Sequence, residues 1–317
     1  MMGCTDRHCR YFHRLLAPRA RLYTEMIPAA ALVHRDGTAR LAHHPAEHPL
    51  AIQLGGSDPD LLAAAAERAA GAGFDEINLN CGCPSPRVQR GAFGAVLMLE
   101  PGRVAAMVRA MARASGLAVT VKCRIGVDEH DDFAVLARFA EAVAGAGCRT
   151  LIVHARKAWL EGLSPKANRT VPPLDHERVY RLKETFPELR VVTNGGIASV
   201  EEATRHLGHV DGVMIGRAAY ERPWLLVELS QSLWRGACAP TLKQVAEAMA
   251  VYAQEMQRHG VPLQAIYRHL LGLGRGQPGA RAFRRLLSAR MRDPGAPPGL
   301  LLEAVALLQS AHQAEAA

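Results

Sequence analysis

Two cysteines follow an apolar run in the stretch INLNCGCPSPRVQRGAFGAVLM, residues 77 to 98. Pro84 stops the strand and Gly82 frees the turn, so Cys81 belongs to the packed strand and Cys83 to the rim beyond it. The pair lacks further ligands at metal spacing, which makes a metal site improbable. A cysteine thiol without a nearby base is mostly protonated at neutral pH. Cys83 is therefore the better candidate for chemistry, as a proton donor.

Polar side chains end five of the apolar runs that predict strands: Gln53, Asn80, Lys122, His154 and Asn194. A lysine ending an apolar strand is costly unless it faces water or an anion, and a cofactor contact is the simpler explanation. A lone histidine is more often a core residue hydrogen-bonded to the backbone. The position of His154 beside the other polar strand ends favours a role in a site. These amide, ammonium and imidazole groups suit flavin mononucleotide (FMN). A thiol acid beside a flavin indicates a reductase for an activated double bond.

Glycines end the last two apolar runs, in TNGGI (193 to 197) and MIGRA (214 to 218). Isolated glycines usually permit tight turns only. Here Gly195, Gly196 and Gly216 occur together at the final two strand ends, with Arg217 adjacent. That placement favours a phosphate site of the kind formed after the last strands of many barrels.

Short apolar runs alternate with alanine-rich amphipathic segments through residues 20 to 220. The seven runs that predict strands are 22–27, 49–54, 76–80, 117–125, 150–155, 190–196 and 212–216. Such alternation predicts a parallel sheet covered by helices, either an open doubly wound sheet or a (β/α)₈ TIM barrel. No strand is followed by a Gly-x-Gly-x-x-Gly turn, and converging polar strand ends favour the barrel.

The barrel is one strand short, because the opening MMGCTDRHCRYFHRLL has the pattern of a loop and helix that follow a first strand. We expect the first strand to be truncated from this chain. From residue 236 the strand signals stop and helical periodicity takes over. The predicted domains are a catalytic TIM barrel over 1–235 and an all-helical C-terminal domain over 236–317.

Positive charge is concentrated in the helical part of the chain. The 317 residues carry a net charge of +8. Between residues 268 and 292 there is no Asp or Glu, and the arginines there are Arg268, Arg275, Arg281, Arg284, Arg285, Arg290 and Arg292. This pattern is typical of a nucleic-acid surface. The loop RKAWLEGLSPKANR, residues 156 to 169, is either a solvated charged loop or a surface for a nucleic-acid backbone and an extruded base.

Composition limits the compartment and the partners. No apolar run reaches bilayer length, and no signal segment begins the chain, so we expect a cytoplasmic protein without a membrane partner. The seven cysteines include no Cys-x-x-Cys pair, which argues against disulfides and a structural zinc site. We expect free thiols, no metal and a monomer.

Taken together, these motifs resemble the tRNA-dihydrouridine synthases, and within them the A-type subfamily. The resemblance runs through TDRHCRYFHRLL, LYTEM, HPLAIQLGG, EINLNCGCPSPRVQRGAFGAVLM, VTVKCRIG, VHARKAWLEGLSPKANR, VTNGGI, DGVMIGRAAYERPWLL and GLGRGQPGARAFRR, nearly the whole chain. It implies FMN-dependent reduction of D-loop uridines, at positions 20 and 20a, to 5,6-dihydrouridine, with NADPH or NADH as reductant. The family's first strand ends in Ala-Pro-Met-Met beside the flavin, and only Met1 and Met2 remain of it here.

The resemblance also implies roles for individual residues. Cys83 corresponds to the catalytic acid. The residues implied to hold non-covalent FMN are Met1, Met2, Gln53, Lys122, His154, Asn194, Gly195, Gly196, Gly216 and Arg217. The residues implied to contact tRNA are Asn80, Lys166, Arg169, Arg281 and Arg284. Two other functions stay open at this point: a flavin dehydrogenase of a small pyrimidine, and a truncated barrel that acts only as an RNA-binding module.

Overall fold

A seven-stranded parallel sheet forms the core of the molecule. The structure, a computed structural model, describes residues 1–34 and 37–316, with side chains except at positions 38 and 309–316. The strands are β1 (Leu22–Pro28), β2 (Leu50–Gly55), β3 (Glu76–Cys81), β4 (Ala118–Arg124), β5 (Thr150–His154), β6 (Arg190–Asn194) and β7 (Gly212–Met214). They pair in parallel, in chain order from β1 to β7. The predicted barrel-type α/β fold with seven visible strands is confirmed.

Helices follow nearly every strand and continue to the end of the described chain. They are α1 (Arg7–Leu16), α2 (Ala29–Val33), α3 (Thr38–Leu41), α4 (Pro59–Gly71), α5 (Pro86–Gln89), α6 (Pro101–Ser115), α7 (Phe133–Gly145), α8 (His176–Thr185), α9 (Val200–Leu207), α10 (Arg217–Glu221), α11 (Leu225–Leu233), α12 (Leu242–Arg258), α13 (Leu263–Tyr267), α14 (Ala280–Arg290) and α15 (Leu300–Ala316). Short 3₁₀ helices span Pro45–Glu47, Gly94–Leu99 and Ala167–Arg169.

Local sequence explains where the covering helices begin, end and pack. Asp58 caps α4 by accepting hydrogen bonds from two first-turn amides. The buried positions of α4 recur at helical spacing, at Leu62, Ala66 and Ala69, and face the sheet. Helix α6 ends at Gly116, whose φ of 69° is left-handed. The alternating apolar pattern thus specifies one continuous core between sheet and helices.

An irregularity in β1 supports the first of the polar strand ends. The register between β1 and β2 shifts between Tyr23 and Met26. At this shift the Oγ1 of Thr24 accepts a hydrogen bond from the backbone N–H of Gln53 at 2.9 Å. A side-chain hydroxyl therefore holds the backbone of Gln53 where the strand pairing is interrupted.

The chain forms two compact units. One unit contains Met1–Met2 and Arg21–Gly216, and the other contains Gly3–Ala20 and everything from Arg217 onward. The sequence predicted a change of domain between residues 235 and 236. That division into functional domains stays a prediction. The helical unit includes α10, α11 and α1, and α1 packs against α11, α12 and α13.

Asp6 explains why the N-terminal helix belongs to the helical unit. Its Oδ1 caps α1 by accepting from the backbone N–H groups of His8 and Cys9, both at 3.0 Å. Its Oδ2 accepts from Arg268 at 2.6 Å and from His269 at 2.9 Å. One carboxylate therefore begins α1 and joins it to the end of α13. Within residues 1–34 and 37–316, no helix combines the length and apolarity that membrane crossing demands.

Candidate active site

Five side chains inside the sheet form a head-to-tail ladder of hydrogen bonds. Asn80 Nδ2 donates to Gln53 Oε1 at 2.8 Å, and Gln53 Nε2 donates to Asn78 Oδ1 at 2.8 Å. Asn78 Nδ2 then donates to Thr120 Oγ1 at 2.9 Å, and the Thr120 hydroxyl donates to Glu76 Oε1 at 2.8 Å. All the donors point the same way along the ladder. Such chains strengthen one another in a buried setting.

Glu76 fixes the direction of this ladder. Its carboxylate accepts from Arg21 at 2.8 Å and from the Tyr23 hydroxyl at 3.3 Å. An ionised carboxylate only accepts hydrogen bonds, so each successive group must donate toward it. The carboxamide oxygen of Asn80 is consequently left facing the turn that follows β3.

The Cys83 turn, residues 82–84, is held by that oxygen. Asn80 Oδ1 accepts from the backbone N–H of Gly82 at 3.1 Å and of Cys83 at 3.0 Å. The Cys83 carbonyl accepts from the N–H of Ala95 at 2.9 Å. Gly94 has a φ of 81°, and a Cβ on it would lie 2.4 Å from the Cys83 carbonyl oxygen. The backbone of Cys83 is therefore fixed on both sides.

The two cysteines of this stretch occupy different environments. Cys81 is fully buried, and burial raises the pKa of its thiol well above the ordinary value. Cys83 is half-buried on the turn. Only the second thiol has access to solvent, as expected for a group that meets a substrate. Asn80 was predicted to contact tRNA; its oxygen and one amide hydrogen are used inside the protein, and that contact stays a prediction.

Lys122 and Asn194 meet across the sheet interior. Lys122 Nζ donates to Asn194 Oδ1 at 3.1 Å, and Asn194 Nδ2 donates to the carbonyl of Met214 at 2.8 Å. Burial, and after it the charge of Arg124, lower the pKa of Lys122 to about 8. An ammonium has three donors, and among the described residues one acceptor is recorded for it. Two donors are left for an anionic or carbonyl-bearing ligand.

His154 packs against the glycine turn after β6. A Cβ on Gly195 would lie 2.7 Å from Cδ2 of His154, and Gly195 and Gly196 have φ values of 121° and 75°. The carbonyl of Gly195 accepts from Nε2 of His176 at 3.0 Å. Burial, with a contribution from His206, lowers the pKa of His176 to about 4, so the ring is neutral at neutral pH. Only glycine allows both the backbone conformation and the close approach of His154.

The last predicted cofactor residues are divided between the two units. Met1 lies beside Gly216, since a Cβ on Gly216 would meet only the Met1 sulfur, at 3.8 Å. Met1 and Met2 are both exposed. Arg217 begins α10 in the helical unit and is also exposed. The structure thus places Met1 and Gly216 together and assigns Arg217 to the other unit.

The residues present fit a flavin nucleotide in chemical type. Lys122 has spare donors, and among the described residues outside its chain neighbours only the Met1 sulfur lies within 4 Å of a Cβ placed on Gly216. The left-handed backbone at Gly195 and Gly196 suits close approach of a phosphate. A carboxamide, an ammonium and an imidazole meet the polar edge of an isoalloxazine ring, and glycine backbone meets the phosphate.

The basic side chains in the loop of residues 156–169 differ in how far they are exposed. Arg156 donates to the carbonyl of Pro172. Lys157 pairs with Asp131 at 3.0 Å and lies 4.1 Å from the ring centre of Trp159. Lys166 and Arg169, the two predicted tRNA contacts, are exposed. The contacts of Arg156 and Lys157 stabilise the loop, and Lys166 and Arg169 lie on its surface.

The arginines of the basic stretch, residues 268–292, also differ in their surroundings. Carboxylates pair with three of them: Asp6 with Arg268, Glu221 with Arg275 and Glu303 with Arg290. The two predicted tRNA contacts, Arg281 and Arg284, are exposed on α14. The helix buries Phe283 and Leu287 on its other side. The basic stretch therefore presents fewer available charges than its sequence indicates.

Two residues around the Cys83 turn were missed in the sequence. Arg124 is 3% exposed and donates to the carbonyls of Gly82, Lys157 and Asn168. The sequence signal for Arg124 was a second charged residue on an apolar strand, two positions after Lys122. Gln89 donates to the carbonyls of Pro84 and Leu160, and no local pattern marks it. In the described ranges, no group of three or more His, Cys, Asp or Glu is placed to bind a metal.

Comparison with known proteins adds sequence and structural relatives. The profile of the dihydrouridine synthase (Dus) family matches residues 1–311. A "tRNA-dihydrouridine(20/20a) synthase" of Xanthomonas campestris is 56% identical over 296 residues, which cover 93% of this chain and 88% of that protein. The proteins of the same name from Xylella fastidiosa and Synechocystis are each 51% identical, covering 98% and 96% of this chain and 93% and 92% of those proteins.

One solved structure supports the fold. Morphinone reductase in complex with tetrahydroNAD aligns with a TM-score of 0.52 at 13% identity, covering 76% of this chain and 85% of that protein. At this identity the similarity concerns the fold alone.

Proposed function

We propose that this chain, which belongs to the dihydrouridine synthase family, reduces uridines in the D loop of tRNA to 5,6-dihydrouridine. The proposed positions are 20 and 20a, after the names of relatives that are 49–56% identical. The observation that carries the proposal within the molecule is the half-buried Cys83 thiol on a turn whose backbone is fixed on both sides. A reducing enzyme needs a proton donor held in this manner.

The reaction adds one hydride and one proton across the C5=C6 bond of uracil. We propose non-covalent FMN, recharged by NADPH or NADH; when bound and reduced, it supplies the hydride for C6. Cys83 holds the proton at Sγ and delivers it to C5. The Asn80 oxygen keeps the backbone of Cys83 in place, so the thiol meets the base without a rearrangement of the turn.

The flavin would be held by residues that lie at the carboxyl ends of the strands. Lys122 and Gln53 offer donors to the ring edge, and His154 lies against the Gly195 turn that would receive the phosphate. Asn194 orients Lys122 through its side-chain oxygen. The proposal also includes Gly196, Gly216, Met1, Met2 and Arg217. These residues bind and orient, and they move no proton in this scheme.

The tRNA contacts complete the proposal. Exposed Lys166 and Arg169 would meet the phosphates near the extruded base, and Arg281 and Arg284 of α14 would meet phosphates farther away. Asn80 would face the base with its remaining amide hydrogen. We propose that the sheet-containing unit is catalytic and the helical unit binds tRNA, in a cytoplasmic monomer without a metal.

Replacement of Cys83 tests the proposed acid. We expect Cys83→Ala to keep its bound yellow flavin and its reduction by NADPH, while dihydrouridine formation on unmodified tRNA falls by about 100-fold or more. Nucleoside mass spectrometry of the treated tRNA measures the product. Cys238→Ala, at an exposed cysteine of the helical unit, is the matched control and keeps full activity. Full dihydrouridine formation by Cys83→Ala would contradict the assignment.

A substrate comparison tests the proposed target. We expect turnover with tRNA transcripts that carry uridine at positions 20 and 20a, and none with transcripts that carry cytidine there. Turnover of a free pyrimidine with no reaction on tRNA would instead support a small-molecule dehydrogenase. Absence of any bound flavin in the purified protein would support the RNA-binding module.

A further inference from the structure

Two side chains join the Cys83 turn to the loop of residues 156–169. Arg124 Nε donates to the carbonyl of Gly82 at 3.1 Å, and its Nη1 donates to Lys157 O at 3.0 Å and Asn168 O at 2.8 Å. Gln89 Nε2 donates to Pro84 O at 2.8 Å and to Leu160 O at 2.7 Å. The carbonyls on the two sides of Cys83 are thus each tied to the same neighbouring loop.

The turn itself has no free backbone group between residues 82 and 84. Both N–H groups are accepted by Asn80, and the three carbonyls accept from Arg124, Ala95 and Gln89 in chain order. Pro84 has no N–H to satisfy. The Cys83 side chain is therefore carried by a backbone that cannot shift without breaking several hydrogen bonds.

Hydrogen bonds also hold the loop of residues 156–169 at positions that Arg124 and Gln89 contact. Asn168 is fully buried; its Oδ1 accepts from the N–H of Trp159 at 2.8 Å, and its Nδ2 donates to the Trp159 carbonyl at 2.8 Å. Leu160 donates its N–H to Asp128 Oδ1 at 2.8 Å. Displacement of this loop is therefore transmitted through Arg124 and Gln89 to the Cys83 turn.

Arg124 is buried, and its side-chain donors are satisfied by backbone carbonyls. A buried guanidinium is costly unless its donors are satisfied, and in the part of the chain that the structure describes no carboxylate is paired with Arg124. Burial lowers the pKa of Arg124 to about 10, which leaves it charged at neutral pH. Its recorded side-chain partners are the carbonyls of Gly82, Lys157 and Asn168, and its own backbone N–H donates to the sulfur of Met98 at 3.4 Å.

We propose that Arg124 and Gln89 are positioning residues that hold the proton donor Cys83 and the tRNA-contacting loop of residues 156–169 as one unit. The inference rests on the proposed function, in which Cys83 protonates the base and Lys166 and Arg169 contact tRNA. A base gripped by the loop then arrives at a fixed distance from the thiol. Neither residue touches the substrate in this scheme, and neither takes part in flavin reduction.

The two half-reactions of the full-length, flavin-loaded enzyme separate positioning from general damage. Reduction of the flavin by NADPH does not need Cys83, whereas reoxidation by unmodified tRNA does. We expect Arg124→Met to slow reoxidation at saturating tRNA by about 100-fold, the cost of displacing a reacting group by about 1 Å. Its flavin reduction rate stays within about twofold of the parent. Arg124→Lys keeps the charge and one donor to the carbonyls. We therefore expect it to be reoxidised by tRNA about tenfold faster than Arg124→Met.

Gln89→Met gives a second, milder test because Gln89 is only half-buried. We expect reoxidation to slow by about tenfold at saturating tRNA, with no loss of flavin. Effects of Arg124→Met and Gln89→Met should not add in the double variant, because both residues hold the same turn. The controls are Arg14→Met and Gln257→Met, which remove similar side chain–carbonyl bonds in the helical unit.

Three outcomes overturn the inference. They are unchanged reoxidation in Arg124→Met or Gln89→Met, a parallel fall of both half-reactions, and equal effects in the control variants. If Arg124→Met does not fold, the Gln89→Met result decides alone. Failure of the proposed function is distinct from these, because it would appear in the parent protein as no reoxidation by tRNA, or in Cys83→Ala as full activity.

Discussion

An asparagine lies near the carboxyl end of both β3 and β6, before a turn that contains glycine, yet the two asparagines form their hydrogen bonds in opposite directions. Asn80 turns its oxygen back onto its own turn, where it accepts from Gly82 and Cys83. Asn194 turns its oxygen away from its own turn, where it accepts from Lys122 of β4. The same residue type therefore stiffens one turn and orients a distant ammonium at the other.

This difference matches the two tasks of a redox site. The Cys83 turn has its backbone groups bonded and offers a side chain, which suits a group whose position must be exact within a fraction of an ångström. The turn at Gly195 and Gly196 has no side chain and a left-handed backbone, which suits close contact with a ligand. Substitutions at the two turns should consequently affect different half-reactions.

The largest effect is expected at Gly94, which supports the first turn. Gly94→Ala would place a Cβ 2.4 Å from the Cys83 carbonyl oxygen, at a φ of 81°. The turn must move, so we expect reoxidation by tRNA to slow by about 100-fold while flavin affinity stays within about twofold. Stopped-flow measurement of reoxidation and a flavin titration check this.

Gly116→Ala is the matched control for Gly94→Ala. Gly116 has a φ of 69° with no atom within 4 Å of the added Cβ. Gly116→Ala therefore measures the cost of the left-handed backbone alone. We expect this cost to lower the free energy of unfolding by about 1–2 kcal/mol. An equal loss of reoxidation in both variants would mean that strain, and not displacement of Cys83, causes the effect.

The opposite pattern, weaker flavin binding with nearly normal reoxidation, is expected for a substitution in the turn after β6. Gly195→Ala would place a Cβ 2.7 Å from His154 at a φ of 121°. We expect the flavin dissociation constant to rise by about tenfold or more, a loss of about 1.4 kcal/mol in binding. Once the variant is saturated with flavin, reoxidation by tRNA should be nearly normal.

Gly147→Ala provides the control for that experiment. Gly147 has a φ of 99° and open space around the added Cβ. Flavin affinity should stay at the parent value in this variant. Slow reoxidation in flavin-saturated Gly195→Ala would show that the two turns do not have separate tasks.

The sequence predicted the strands well and the hydrogen bonds between them poorly. Each apolar run became a strand to within a few residues, because buried parallel strands need continuous apolar sequence. The run predicted at 190–196, for example, forms Arg190–Asn194, and its two glycines form the turn. The contacts of Asp6 with Arg268 and His269 could not be predicted, since they join residues more than 260 positions apart.

In the candidate site, too, the sequence predicted residues but not the hydrogen bonds between them. Residue type and position at the strand ends predicted Gln53, Lys122 and Asn194 as site residues. The sequence does not give the register between strands, and the register decides that Asn80 reaches Gln53 and that Lys122 reaches Asn194. The hydrogen bonds of Arg124 and Gln89 to carbonyls of the loop of residues 156–169 could not be predicted either, because they join residues 33 to 71 positions apart.

A matched pair of substitutions tests the two asparagines directly. Asn80→Asp keeps an acceptor for the turn but replaces the Asn80 amide nitrogen with an oxygen. In the parent protein that nitrogen lies 2.8 Å from Gln53 Oε1, so two oxygens would face each other in the variant. Asn194→Asp places a carboxylate beside Lys122, which offsets the lost bond to Met214. We expect Asn80→Asp to lower the free energy of unfolding by about 1–3 kcal/mol more than Asn194→Asp, measured in denaturant titrations. Equal losses would contradict the contrast.

The smallest effect is the pH dependence of flavin binding through Lys122. With a pKa of about 8 in the free protein, Lys122 is mostly charged at pH 7 and mostly neutral at pH 9. An anionic ligand binds the charged form, so affinity is full below pH 8 and falls as the pH rises above it. We expect the flavin dissociation constant to rise by about tenfold between pH 7 and pH 9.

Two variants separate this effect from ionisation of the flavin itself. Lys122→Gln should bind flavin more weakly at pH 7 and lose the pH dependence that belongs to the protein. Asn194→Asp should move the onset of the fall to higher pH, because an adjacent carboxylate favours the charged lysine. If the ratio of the parent and Lys122→Gln dissociation constants does not change between pH 7 and pH 9, Lys122 does not bind the flavin as a cation, and the oxygen of Asn194 has no role in preparing it.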